Sequence, residues 1–328
     1  MTKLAGLVAL AATLAVSQPS PAQVAQPSPS GGAALETIAL RSNVYAIFGA
    51  GSNVVMLTGE DGIILVDSGT GAMADQVIAE VRKITRAPIR MIINTSADED
   101  HLGGNERIAR AGVNMTLSAI NSGQEPAQVI AHENVLNRVS APTGQKSEFP
   151  VAVWPTDTYI SRTKSMYLND EGIQIIHYPS AHSDGDSVVM FRRADVIVTG
   201  DIIDLRRFPV IDAARGGSLQ GELDALNALI ELAIPAMPLI YKEGRTLLVP
   251  GHGRISDQAE VVEYRDMVTV IRDRIQSMVA KGLTLDQVKA ANPAQGYRTR
   301  YGSDAGAWTT NMFVEAVYRE LTHQPRTL

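Results

Sequence analysis

The residues Asn94-Thr95-Ser96-Ala97-Asp98-Glu99-Asp100-His101-Leu102-Gly103-Gly104-Asn105 place three carboxylates and a histidine in four consecutive positions. Charge at that density is costly to bury unless it is paired or bound to a metal. The loop is therefore read as a metal site, with a solvated acidic loop capping the next helix as the structural alternative. Three later segments carry the same kind of residue: Ala181-His182-Ser183-Asp184-Gly185-Asp186-Ser187, Thr199-Gly200-Asp201 and Val249-Pro250-Gly251-His252-Gly253. Each follows a strand-like run and is punctuated by Gly or Pro. Strand ends on one edge of a sheet converge, and loops there carry function. Asp98, Asp100, His101, His182, Asp201 and His252 are thus expected to close on one metal centre. The chain has no cysteine, so His, Asp and Glu are the only strong protein ligands on offer.

Those loops need strands to hold them. Thr37 to Leu40, Val44 to Phe48, Val54 to Thr58 and Ile63 to Val66 are β-rich runs separated by turn residues, and they read as an antiparallel meander. Met73 to Ile84 has helical spacing of Val77, Ile78, Val81 and Ile84. The apolar run Ile89 to Ile93 is a buried strand entering the acidic loop, and Asn105 to Ala111 is a helix leaving it. Residues 113–126 read as a surface insertion. A short strand at 129–131 and a helix from Asn134 to Val139 come next. Strands return at 159–161, 166–168, 173–177, 188–191 and 196–198, then a helix from Leu219 to Ala233 with Ser218 as N-cap, and a last strand from Arg245 to Val249. Helices at 261–279, 284–291 and 309–321 finish the chain. The order implies two β-layers, each covered by helices.

The 328 residues are enough for one or two domains, and 45% hydrophobic content with 20% charge is ordinary for a globular protein. A net charge of −6 without a basic cluster argues against nucleic acid as a partner. Lys3 followed by the apolar run Leu4 to Val16, with Ser20-Pro21-Ala22 before Gln23, reads as a signal peptide over 1–22. Its removal takes Lys3 and no acid, leaving −7. Residues 23–36 read as a flexible linker rich in Pro, Ser, Gln and Gly. No later segment is long and apolar enough for a membrane span, so a periplasmic or secreted protein without stable membrane insertion is expected. The oligomeric state is open.

The motifs resemble the metallo-β-lactamase superfamily of hydrolases, in the same order and over Thr37 to Ser256. That superfamily's first motif is His-x-His-x-Asp-His followed by Gly-Gly-Asn; here Ser96 and Asp98 stand where two histidines usually stand. The resemblance implies a four-layer αββα sandwich over residues 37–256, followed by a C-terminal helical extension over 257–328. It implies one metal site from Asp100, His101 and His252, a bridging Asp201, and a second site from His182 with Asp98. Asp67 matches the structural Asp of the family's Asp-Thr-Gly turn. One or two divalent ions are implied, zinc first, with iron or manganese favoured by the oxygen-rich Asp98 site. That site is expected to bind its ion more weakly. The implied activity is hydrolysis of a small amide, ester, lactone or thioester, β-lactams included, by metal-bound hydroxide that Asp100 orients. The alternative is a degenerate relative that binds metal or ligand without turnover; redox use of an iron pair is a third reading.

Asp184, Asp186 and Ser187 are expected to shape the turn after His182. His132, His177 and His323 are not expected to be ligands; His132 is a cap or supporting residue. Arg206, Arg207 and Arg215 follow Asp201, where a substrate carboxylate could be held, but they read as surface arginines.

Overall fold

A computed structural model describes residues 34–116, 125–141, 145–237 and 244–323. The expected signal peptide, nearly all of the linker and the centre of the 113–126 insertion lie outside these residues.

Apolar runs whose side chains alternate between two buried faces build two sheets. The first holds seven strands in sequential order: β1 (Glu36–Arg41), β2 (Val44–Ala50), β3 (Ser52–Leu57), β4 (Ile63–Val66), β5 (Ile89–Ile93), β6 (Gln128–His132) and β7 (Asp157–Tyr159). β1 to β4 form the expected antiparallel meander, and β4 to β7 run parallel. The second has five strands in the order β12-β11-β10-β9-β8: β8 (Thr163–Leu168), β9 (Glu171–His177), β10 (Ser187–Phe191), β11 (Val196–Asp204) and β12 (Leu247–His252). Only the β11–β12 pair is parallel in this sheet.

Side chains at alternate positions meet between the sheets, among them Val55, Val66 and Ile93 from the first and Ile175, Phe191 and Val249 from the second. This is the period-two burial of a sandwich. The outer face of the first sheet packs on α1 (Ala74–Ile84) and α3 (Asn105–Arg110) through Val77, Val81 and Ile108. The outer face of the second packs on α5 (Leu219–Leu232), α6 (Gln258–Ala280), α7 (Leu285–Ala290), α8 (Arg298–Tyr301) and α9 (Thr310–His323). The αββα order is therefore realised, and the C-terminal helices form its outer layer over the second sheet.

Some boundaries differ from the sequence reading. β1 starts at Glu36, inside the expected linker, and Leu35 is already buried against the first sheet's outer core. The strand expected to end at Val198 runs on to Asp204 through a bulge at left-handed Gly200, so Asp201 sits within a strand. The acidic stretch is not an extended loop: Asp98 is the N-cap of a one-turn helix, α2 (Glu99–Leu102), and Asp100 lies in its first turn. Residues 133–139 form α4 (Glu133–Val139), and the His132 ring caps it by accepting from the Asn134 N–H, as expected.

Candidate metal centre

Six side chains named from the sequence meet at one end of the sandwich, where β5, β11 and β12 finish. They form two donor sets: Asp100, His101 and His252, and Asp98, His182 and Asp201, with one ligand-capable atom from each residue within 4.8 Å of the others in its set. In an extended loop, the two-residue spacing of Asp98 and Asp100 would place both on one side. The helical turn instead turns Asp98 to His182 and Asp100 to His252, one into each set. Asp201 joins the sets: Oδ1 lies 3.1 Å from His101 Nε2 and 3.4 Å from His252 Nε2, and Oδ2 lies 3.9 Å from His182 Nε2. Two glycines permit this approach. A Cβ on Gly104 would meet the Ser68 carbonyl at 2.3 Å, and one on Gly251 would meet Asp201 Oδ1 at 2.8 Å.

The rings are held from behind. His101 Nδ1 donates to Asp67 Oδ2 at 2.8 Å, and Asp67 also accepts from the Thr95 N–H and hydroxyl. His182 Nδ1 donates to the Val210 carbonyl at 2.9 Å. Both rings therefore present Nε2 to the centre, the orientation that metal-binding imidazoles need. Ser96 is fully buried and takes no place among the donors; its hydroxyl accepts from the Asp98 N–H inside the loop.

Electrostatics agree with an ion-accepting centre. Burial opposes the charged form of His182, yet the Asp98 hydrogen bond and the Asp186 and Asp201 charges outweigh it and push the ring up to about 10. His101 is raised for the same reason, against its own burial, by Asp201 and Asp67. Burial likewise opposes the ionised Asp201, but His101, His182 and His252 hold it well below the usual carboxylate range. Asp98 and Asp100 are also lowered, by His182 and His252 respectively, despite burial. Partly buried carboxylates in contact with imidazole Nε2 atoms are the donor chemistry of a divalent-ion site, where the ion takes the place of the Nε2 protons. The residues present fit one or two such ions.

The centre floors a cavity of about 480 Å³ that is also lined by Glu99, Asp204, Arg207, Val210, Asp212 and Arg215. The surface reading of the arginines fails for two of the three. Arg207 pairs with Asp204, and Arg215 pairs with both Asp98 and Asp212, facing the cavity. Arg206 stays on the rim, half-exposed, also on Asp204. Sequence reasoning missed Asp204, Asp212 and Glu99. The Asp and Arg residues flanking Pro209 were the visible signal.

The expected supporting roles of the turn after His182 are in place. Asp186 accepts from the Ser183 N–H and hydroxyl, and burial pushes it up to about 6 against the pull of His182 and those bonds. His132 and His177 lie outside both donor sets. Their rings stack at 3.5 Å with Tyr159 edge-on to His132, and the Tyr159 hydroxyl meets Ser187 Oγ at 2.6 Å. This contact links the ends of β6, β7, β9 and β10 beside the centre.

The C-terminal helices brace the segment after β11 that supplies the cavity's wall. The Tyr264 hydroxyl of α6 donates to the Arg207 carbonyl, Phe208 stacks on Phe313 and bonds the Tyr301 carbonyl, and Glu320 of α9 accepts from the N–H groups of Leu219 and Gln220.

Residues 48–252 match the metallo-beta-lactamase superfamily. The linear primary-alkylsulfatase of Pseudomonas sp. (strain ATCC 19151) is 23% identical over 266 residues, covering 71% of this chain and 48% of its own. A stereoselective inverting sec-alkylsulfatase from Pseudomonas sp. is similar in structure with a TM-score of 0.59 at 15% identity, over 87% of this chain and 50% of that one. The metallo-beta-lactamase from Pontibacter korlensis superposes with a TM-score of 0.53 at 16% identity, over 72% of this chain and 99% of that one. This chain thus spans about half the length of the alkylsulfatases it matches, and at these identities the structural likenesses speak for the fold alone. With the family match running from the end of β2 through β12 and taking in every motif from Asp67 to His252, the chain belongs to the metallo-β-lactamase superfamily.

Proposed function

We propose that this protein is a metal-dependent hydrolase of small molecules. The observation that carries this reading is the pair of three-donor sets joined by Asp201 at the floor of one cavity. Asp100, His101 and His252 would hold one divalent ion and Asp98, His182 and Asp201 the other, zinc being the first candidate and iron or manganese the alternatives. Such ions polarise the scissile bond and acidify water.

The protein's own groups do the rest. Asp100 has the most accessible of the three carboxylates, its side chain 31% exposed against 23% for Asp98 and 13% for Asp201. Its lowered pKa keeps it ionised at neutral pH, able to ligate an ion and to orient water by accepting its hydrogen bond. Asp67 and the Val210 carbonyl fix the two imidazoles. Arg207 and Arg215 give the wall cationic groups that suit an anionic substrate. Sulfate esters, which the alkylsulfatase relative's name brings into view, join esters, lactones, thioesters and β-lactams as candidates. The N-terminal apolar run supports export to the periplasm or medium.

The test is metal analysis of the purified protein followed by a panel of alkyl sulfate, ester, lactone and β-lactam substrates, run beside Asp100→Asn. Turnover that needs metal and collapses in the folded variant supports the hydrolase. Stoichiometric metal without turnover of any substrate favours the second reading, binding without catalysis. That reading draws on Ser96, which bonds within its own loop in place of offering a ligand.

A further inference from the structure

The two donor sets differ in one respect that their residue types do not reveal. Asp98 has both oxygens engaged: Oδ2 lies 2.9 Å from His182 Nε2, and Oδ1 takes the Arg215 guanidinium at 2.5 Å. Arg215 is itself well placed. Its Nε donates to Asp212 Oδ2 at 2.6 Å, its N–H donates to Asp212 Oδ1 at 3.0 Å, and its carbonyl accepts from the Asp184 N–H at 2.8 Å. The same segment supplies the Val210 carbonyl that orients His182. Among the described residues, Asp100 pairs with His252 and with no arginine or lysine.

Resting on the metal-site reading above, we propose that Arg215 is a positioning residue that sets the order in which the two donor sets fill. Its fixed positive charge holds Asp98 in place and draws on the carboxylate's negative charge. An ion entering between Asp98, His182 and Asp201 must share Asp98 with a guanidinium and sit close to it. Repulsion between cations in a partly buried site is strong, and arginine does not relieve it by losing a proton. No ligand of the Asp100–His101–His252 set is bonded to a guanidinium; Arg207, whose charge also reaches Asp100, is bonded to Asp204 instead, and this set fills first. Arg215 thereby keeps the Asp98 set organised before its ion arrives and makes that ion the more exchangeable of the two.

The test is titration of the metal-free full chain with Co(II) against a chromophoric chelator, resolving two binding equivalents. With the repulsion removed, Arg215→Met is expected to tighten the second equivalent by about tenfold and to leave the first within about threefold. Asp212→Asn keeps the Oδ1 acceptor for the Arg215 N–H but removes the competing charge. Arg215 then falls to Asp98 alone, and the second equivalent is expected to weaken. An unchanged or weaker second equivalent in Arg215→Met, or equal movement of both, would overturn the proposal. Should that variant not fold, an unchanged or tighter second equivalent in Asp212→Asn does the same. A wild-type chain that binds no Co(II) overturns the metal-site reading with it, whereas two equivalents insensitive to Arg215 overturn this inference alone.

Discussion

Asp67→Asn isolates what orients His101. The residue is fully buried and has a left-handed backbone with φ 63°, a conformation that Asp and Asn tolerate, so the substitution leaves the turn unstrained. One carboxylate oxygen accepts from the Thr95 N–H at 2.8 Å; the other accepts from the Thr95 hydroxyl at 2.7 Å and from His101 Nδ1 at 2.8 Å. In Asn the first acceptor survives, and an NH2 group replaces the second. The Thr95 hydroxyl can rotate to accept from it. The imidazole can avoid the clash of donors only by giving up its Nδ1 proton and keeping the one on Nε2, the nitrogen that faces Asp201. One mispaired buried group costs about 1–3 kcal/mol, a fall in Tm of roughly 2–4 °C for each kcal/mol. Affinity of the Asp100–His101–His252 set should suffer more, by about 10–100-fold, the usual cost of losing a ligand's supporting partner. Chelator competition reads the affinity, and ¹⁵N shifts of the ring read the tautomer. Unchanged affinity with the proton still on Nδ1 would refute the reasoning.

Three further outcomes are expected. Burial, with His132 stacked beside it, depresses the His177 ring to about 4 from 6.5. The folded state then binds fewer protons than the unfolded one across that window. This contribution is full above pH 6.5 and is lost as pH falls toward 4, roughly 3 kcal/mol in all. Asp186, raised by burial from 3.8 to about 6, acts in the opposite sense, its contribution lost as pH rises through that range. Urea melts of His177→Gln should therefore show a shallower acid-side decline than wild type between pH 6.5 and 4, and parallel curves would dismiss the assignment. Glu222 is wholly buried with neither oxygen hydrogen-bonded, and burial drives its pKa well upward; Glu222→Leu should stabilise the protein by about 1–3 kcal/mol at pH 8 in a thermal melt, and a loss of stability would count against it. Glu320→Ala removes both acceptors at the start of α5 and should cost about 1–2 kcal/mol, read by the same melt, with an unchanged Tm as the contrary result.

The donor residues were legible because each follows an apolar strand and is bounded by Gly or Pro, a pattern that short-range chemistry alone produces. His101, His182, Asp201 and His252 could be placed at one sheet edge by that logic, and the two-layer order followed from the alternation of strands and helices. The role of Arg215 was not legible. Its partner Asp98 lies 117 residues away, and only the packing of the segment beyond β11 brings them together. The split of Asp98 and Asp100 between two sets was hidden for a local reason: a single helical turn separates side chains that an extended strand would place on one side. The extent of β11 was hidden by Gly200, whose left-handed φ of 53° reads as a strand terminus but makes a bulge.

The Glu320 contact has a consequence for how the centre is assembled. The carboxylate reaches back 101 residues to the start of α5, immediately after the segment that carries Val210, Asp212 and Arg215. During synthesis, the acidic helix turn, the turn that bears His182 and the strand that bears Asp201 all emerge before α9 exists. The wall that orients His182 and tethers Asp98 is held locally by the 180–184 turn, and its far end gains the Glu320 anchor only once this late helix docks. Closure of so long a loop is slow relative to local folding, so metal capture at the Asp98 set should lag behind formation of the sandwich. A divalent ion supplied early in refolding would meet a half-built site; one supplied after α9 has docked would meet a finished one.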